Sequence, residues 1–223
     1  MNRIFRRLLK KFTLSFCEQF LTPLFAGEAE FDEWIEQVNQ PEHRKETLRE
    51  VWKQNPFNDP KMVPRSTEVG SFVKDEPYPT IKAPRIINAR DDWFKCFSGP
   101  LFDSISHQIF NLPYFIKTVP VLERPEDIMS ELWTQVCDVV NADATAFECH
   151  FEPDVMDAIE CVLYRYMCSR VSEYQQRMET IISVLTGPQK LEFRDLSARV
   201  SGCRMSGEMN TSLGNGFTTL IMN

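Results

Sequence analysis

Three prolines, Pro77, Pro79 and Pro84, constrain this chain more than any other feature; all fall within Phe72–Arg90, FVKDEPYPTIKAPRIINAR. Proline fixes φ, lacks an amide donor and pushes the residue before it toward extended backbone, so no helix crosses this stretch. The Ile-Ile pair within Arg85–Ala89 then reads as a strand. On both sides the apolar spacing is helical. In Met1–Phe25, Phe5, Leu8, Leu9, Phe12, Phe16 and Phe20 recur at threes and fours. Phe31, Trp34, Ile35 and Val38 line a second helix, which Pro41 should break before Leu48, Val51 and Trp52 resume it. Asn55–Ser71 has loop composition.

Further along, Gly99-Pro100 reads as a turn, followed by a helix marked by Leu101, Ile105 and Ile109. Another helix should start near Pro125, with Glu126 and Asp127 favouring its dipole. Val136–Asp143 is expected to be a buried strand, and Pro153–Val184 a long helical stretch in one or two pieces, ended by Gly187-Pro188. Leu191–Val200 alternates like a strand, and Thr211 opens a last helix. Helices and strands mix without βαβ alternation, which makes the fold class α+β.

With 223 residues, 43% of them hydrophobic, the chain can build a core without disulfides or metal. No stretch approaches the ~18 apolar residues of a spanning helix. Seven cysteines, without a CxxC pair, read as reduced thiols packed as small hydrophobes in an intracellular protein. The net charge of −7 argues against a plain nucleic-acid coat. That average hides a basic N-terminus (Arg3, Arg6, Arg7, Lys10, Lys11) and an acidic stretch, 125–164, without Lys or Arg. The basic amphipathic pattern of residues 1–25 fits three settings: a helix docked on the protein's own core, one lying on a membrane surface, or an organellar transit peptide.

Three segments carry groups suited to chemistry. Asp143-Ala-Thr-Ala-Phe-Glu148 places a carboxylate at the end of an apolar strand, a position suited to Mg²⁺. In Ser206-Gly-Glu-Met-Asn-Thr211-Ser-Leu-Gly-Asn215, Thr211 and Asn215 share a helix face able to hold a sugar hydroxyl. The proline-rich stretch carries Lys74, Lys82, Arg85 and Arg90, which suit phosphate oxygens. Taken singly, each also reads as an ordinary strand end, a capped turn or a solvated basic loop.

In this order the segments resemble the viral RNA-dependent RNA polymerases, particularly those of positive-strand viruses related to the tombusviruses. Ser206-Gly207-x3-Thr211-x3-Asn215, within GCRMSGEMNTSLGN, matches that family's motif B, SGxxxTxxxN. Asp143-x4-Glu148 is similar to motif A, and Lys74-x-Glu76 with Lys82-Ala-Pro-Arg85-Ile-Ile-x-x-Arg90 is similar to motif F.

The resemblance implies a right-hand polymerase fold with fingers over 71–135, including motif F, and a partial palm over 136–223, behind an unassigned helical region, 1–70. It implies template-directed nucleotidyl transfer with two Mg²⁺ (or Mn²⁺) ions, for viral genome replication. Asp143 would be the catalytic metal ligand. Lys74, Lys82, Arg85 and Arg90 would neutralise the triphosphate, while Glu148, Ser206, Thr211 and Asn215 would read the ribose. Partners would be an RNA template and product strand and nucleoside triphosphates, with a membrane surface met by residues 1–25. The location would be the host cytoplasm, at membrane-associated replication sites.

Two departures from the family pattern stand out. Glu148 replaces the usual aspartate, one methylene longer, and its link to Asn215 should need a small rearrangement. No Gly-Asp-Asp occurs in the sequence. The expectation is therefore a chain truncated before motif C and the thumb, inactive by itself. The alternative is a non-catalytic remnant that binds RNA or a partner.

Overall fold

A computed structural model describes residues 1–54, 68–81, 83–131 and 147–223. Lys82, Asp143 and the expected strand Val136–Asp143 lie outside the described residues.

The fold is mixed α+β. Helix α1 (Arg3–Phe20) is capped by Asn2, whose side chain accepts from the Ile4 amide. The second helical segment is split as its proline requires, into α2 (Phe31–Gln37) and α3 (Glu42–Lys53), with Pro41 at the α3 N-cap. Strands β1 (Glu68–Val73) and β2 (Ile86–Ala89) follow, then α4 (Asp92–Phe110) and α5 (Arg124–Glu131). After a 3₁₀ turn at Phe147–His150 come α6 (Pro153–Ala158), α7 (Glu160–Met167) and α8 (Ser172–Thr186). Strands β3 (Gln189–Glu192) and β4 (Ser197–Val200) precede α9 (Thr211–Met222).

The described strands form one sheet in the order β2-β1-β3-β4. Antiparallel β1 and β2 pair Val73 with Ile86 and Gly70 with Ala89. β1 runs parallel to β3, and β3 antiparallel to β4. Two strands were not anticipated as such. β1 begins inside the stretch whose composition reads as loop, because its backbone pairs on both sides. Leu191–Val200 is a tight hairpin, its turn closed by the Phe193 amide on the Leu196 carbonyl at 2.9 Å.

Gly99-Pro100 is not a turn, because α4 runs through it. Pro100 has no N–H for the carbonyl of Cys96, one turn back. Arg177, from α8, supplies donors instead: Nη2 reaches the Cys96 carbonyl at 3.2 Å and Nε the Phe97 carbonyl at 2.5 Å. Gly99 is needed because the Trp34 indole lies against it, 2.6 Å from where a Cβ would stand.

The core joins α1, α4, α7, α8 and α9 around Leu101, Ile105, Ile109, Leu163, Tyr164, Ile181 and Phe217. A smaller cluster holds Phe31, Trp34, Ile35 and Leu48 against Cys96. The described cysteines are free thiols, and burial pushes Cys17, Cys96, Cys161 and Cys168 up to about 12.

Helix α1 docks on this core with only part of its apolar surface: Leu9 is buried and Phe16 packs against Phe217, while the first turns face away. Leu9, Thr13 and Cys17 are buried, whereas Ile4, Phe5, Leu8 and Phe12 are 51–72% exposed. Polar contacts set the roll. Arg6 pairs with Asp154 and Asp157, Lys10 with Asp157 at 2.6 Å, and the Thr13 hydroxyl lies 3.2 Å from the Ala158 carbonyl. The basic N-terminus thus neutralises part of the acidic stretch. Among the described residues, no helix is long and apolar enough to cross a membrane.

Candidate functional site

The loop before α9 is built against β2. The Ser206 carbonyl accepts the Asn88 amide at 2.7 Å, and Gly207 turns the chain at φ +112°. A Cβ at Gly207 would stand 2.9 Å from the Asn88 carbonyl, so glycine is required by both conformation and space. The Thr211 hydroxyl donates to the Met205 carbonyl at 2.9 Å, which closes the loop onto the first turn of α9.

One turn later, Asn215 reaches the 3₁₀ turn that carries Glu148. Its Nδ2 donates to Glu148 Oε1 at 3.3 Å. The longer side chain therefore still makes the link that the motif resemblance implies. The Asn215 Oδ1 is buried without a hydrogen-bond partner among the described residues. A buried acceptor left unpaired costs about 1–3 kcal/mol.

The basic residues separate into two groups. Lys74 and Arg85 face each other at the loop end of the β1–β2 hairpin, where the Lys74 amide donates to the Arg85 carbonyl at 2.8 Å. Glu76 lies between them, 2.7 Å from Lys74 Nζ and 3.5 Å from Arg85 Nη1, and accepts the Tyr78 hydroxyl at 2.7 Å. Hydrogen bonds from Lys74 and then Tyr78 hold the Glu76 carboxyl below its ordinary range. Both cationic side chains remain well exposed.

Arg90 lies at the other end of β2 and does not converge with them. Its side chain is 2% exposed and paired with Glu208 at 2.5 Å; it also donates to Gln189 Oε1 at 2.8 Å and stacks on Phe94. Strand geometry explains the split: side chains alternate between faces, so residues five apart along a strand point to opposite sides. Burial pushes the Glu208 carboxyl up, against the pull of Arg90 and Arg204.

The sequence of the family resemblance gave no role to a second buried pair, Arg204–Glu160, whose side chains are 0% and 1% exposed. Glu160 Oε2 accepts the Tyr164 hydroxyl at 3.0 Å, and Tyr164 in turn accepts Asn210 Nδ2 at 3.1 Å. Arg204 Nη1 donates to the Asn210 carbonyl at 3.1 Å. Arg204 and Glu208 lie within GCRMSGEMNTSLGN, and an acid inside the apolar run AIECVLY was the available signal for Glu160.

Comparison with known proteins bears on this arrangement. The family described as viral RNA dependent RNA polymerase matches residues 38–223, most of the chain, and the match takes in the hairpin, the Glu148 turn and α9. The chain belongs to that family. It is also similar to the RNA-directed RNA polymerase of Groundnut rosette virus (strain MC1), at 28% identity over 171 residues. That alignment covers 69% of this chain and 19% of the viral protein, so the chain spans about a fifth of the relative it matches.

For a polymerase-family chain, the divalent-metal site is the remaining question. Among the described residues, no three His, Cys, Asp or Glu side chains are gathered to hold an ion. Asp143 lies outside those residues.

Proposed function

We propose that this chain forms fingers (71–135) and part of the palm (136–223) of a right-hand RNA polymerase, behind an N-terminal helical region (1–70). Its task is template-directed nucleotidyl transfer in viral genome replication, with an RNA template, a product strand and nucleoside triphosphates as partners. The observation that carries this reading is the Glu148–Asn215 hydrogen bond, which joins the two motif segments inside one family-matched chain.

In this reading Glu148 holds the Asn215 amide, so that the unpaired Oδ1 accepts a hydrogen bond from the ribose 2′-hydroxyl, the group that separates RNA from DNA precursors. Ser206 and Thr211 fix the loop on which the nucleotide rests. Lys74 and Arg85, held in place by Glu76, meet the triphosphate as cations, and Lys82 is assigned the same task from the motif resemblance alone. Arg90 acts from below, through Glu208. Asp143 is the proposed ligand of Mg²⁺ or Mn²⁺, which when bound would help offset charge on the transferred phosphoryl group.

The test is templated incorporation of labelled nucleotides by a polymerase that carries residues 1–223 together with a Gly-Asp-Asp segment. Asp143→Ala should abolish it, and Asn215→Ala should relax the preference for ribonucleotides. RNA binding without any templated synthesis would favour the non-catalytic remnant.

The exposed stripe Ile4, Phe5, Leu8 and Phe12 supports a second role for residues 1–25. Arg3, Arg7 and Lys11 flank it on the helix wheel, so its chemistry fits an anionic membrane surface, and with it a cytoplasmic replication site on membranes. Flotation with vesicles containing phosphatidylserine should be lost in Leu8→Glu/Phe12→Glu. Equal flotation of the variant refutes this role.

A further inference from the structure

Arg204 lies between the two segments that carry Glu148 and Asn215. On one side its guanidinium stacks on the Phe151 ring, 5.0 Å from the centroid, three residues after Glu148. On the other it lies against the α9 backbone at Gly214, next to Asn215. A Cβ at Gly214 would overlap both the Arg204 guanidinium and the Glu160 carboxylate. The guanidinium is thus a spacer whose thickness sets how closely α9 approaches the Glu148 turn.

Glu160 locks that spacer from below, and Tyr164 and Asn210 fix Glu160 in turn. Arg204 itself holds the Asn210 carbonyl, at the N-cap of α9. One planar cation therefore touches the Glu148 segment, the start of α9 and the backbone beside Asn215.

A buried ion pair is a poor source of stability, because desolvation offsets most of its Coulomb energy. Its value here is geometric. A planar fork has a fixed thickness and fixed directions, which a flexible ammonium or an apolar side chain does not reproduce.

We infer that Arg204, held by Glu160 and Phe151, is a positioning residue for ribose selection: it sets the Glu148–Asn215 spacing on which discrimination between ribo- and 2′-deoxyribonucleotides depends. The inference rests on the ribose reading proposed above and adds the residues that tune it.

The test is equilibrium dialysis of the full chain with labelled ATP and 2′-dATP in the presence of Mg²⁺, read as the ratio of the two dissociation constants. Wild type should prefer ATP, and Asn215→Ala should bring the ratio to near one. Arg204→Lys should lower the ratio several-fold. Phe151→Leu fills the volume but removes the stacking face, and it should do so as well, which keeps the question answerable if Arg204→Lys does not fold. A wild-type ratio of one overturns the ribose reading and the inference together. A wild-type preference, lost in Asn215→Ala but unchanged in folded Arg204→Lys or Phe151→Leu, overturns the inference alone, because a purely structural role leaves that ratio unmoved.

Discussion

Replacing Arg177 with methionine tests how α4 carries a proline in its interior. The methionine keeps an unbranched apolar stem but donates nothing to the carbonyls of Cys96 and Phe97, which Arg177 holds at 3.2 and 2.5 Å. An unsatisfied buried carbonyl costs about 1–3 kcal/mol, and Arg177 is only half-buried, so water recovers part of it. The guanidinium also lies 5.3 Å from the Phe97 ring and 5.8 Å from Trp52, contacts worth about 0.5–1 kcal/mol each at such sites. The expected loss is about 2–4 kcal/mol. For a chain of this size that lowers the melting temperature by roughly 4–16 °C.

The decisive measurement is a double-mutant cycle with Pro100→Ala, followed by urea unfolding. Alanine restores an N–H at position 100, which offers the Cys96 carbonyl the intrahelical donor it lacks. In wild type that donor competes with Arg177; in Arg177→Met it fills a vacancy. Pro100→Ala should therefore be more favourable in the Arg177→Met background by about 1 kcal/mol, the net worth of one hydrogen bond. Additivity within roughly 0.3 kcal/mol would refute the argument that Arg177 substitutes for the missing amide.

Other perturbations isolate single contacts. Gly207→Ala and Gly27→Ala both force a side chain into positive φ, about 1–2 kcal/mol of strain, but only Gly207 also meets a carbonyl, so its variant should melt lower. Equal melting temperatures would contradict the close approach to Asn88. Tyr174 accepts the amides of Gly27 and Ala29, both at 3.1 Å, so Tyr174→Phe should cost about 1–3 kcal/mol in urea unfolding. A loss near zero would mean those amides find other acceptors. Asp92, hydrogen-bonded to Arg44, is held below its usual 3.8, so its contribution is complete above that pH and disappears as pH falls through the folded value. The stability gap between wild type and Asp92→Asn, about 1 kcal/mol after screening, should hold at pH 6 and narrow as pH falls below 3.8; a pH-independent gap refutes the coupling.

Local chemistry made much of the fold legible in advance. Pro41 divides α2 from α3, Gly187 ends α8, and Thr211 opens α9, because each is dictated by residues within a turn of it. What depended on distant partners was not legible. Pro100 reads as a turn until Arg177 is known to sit beside it, and β1 reads as a loop until β3 is placed alongside. The roll of α1 was hidden for the same reason: its apolar residues reach round more than one face, and the aspartates that fix which part docks lie on α6. The meeting of Glu148 and Asn215 was legible only through the resemblance to the family's motifs. The five-residue spacing of Arg85 and Arg90 already gave no reason for them to converge, whereas nothing in the sequence signalled that Arg204 stands between the segments.

The parallel pairing of β1 with β3 has a consequence in time. Gly70 lies beside Glu192, so the hairpin bearing Lys74 and Arg85 gains its second neighbour only after the segment near residue 192 has been made. At roughly 5–20 residues per second, a ribosome needs on the order of ten seconds to bridge that gap. During that interval a two-stranded ribbon has no sheet to lean on and presents an open edge, the least stable form of β-structure. The basic hairpin is therefore the part of the sheet that waits longest for its neighbour, and a nascent chain stalled before β3 would display its unpaired strand to chaperones, proteases or other copies of itself.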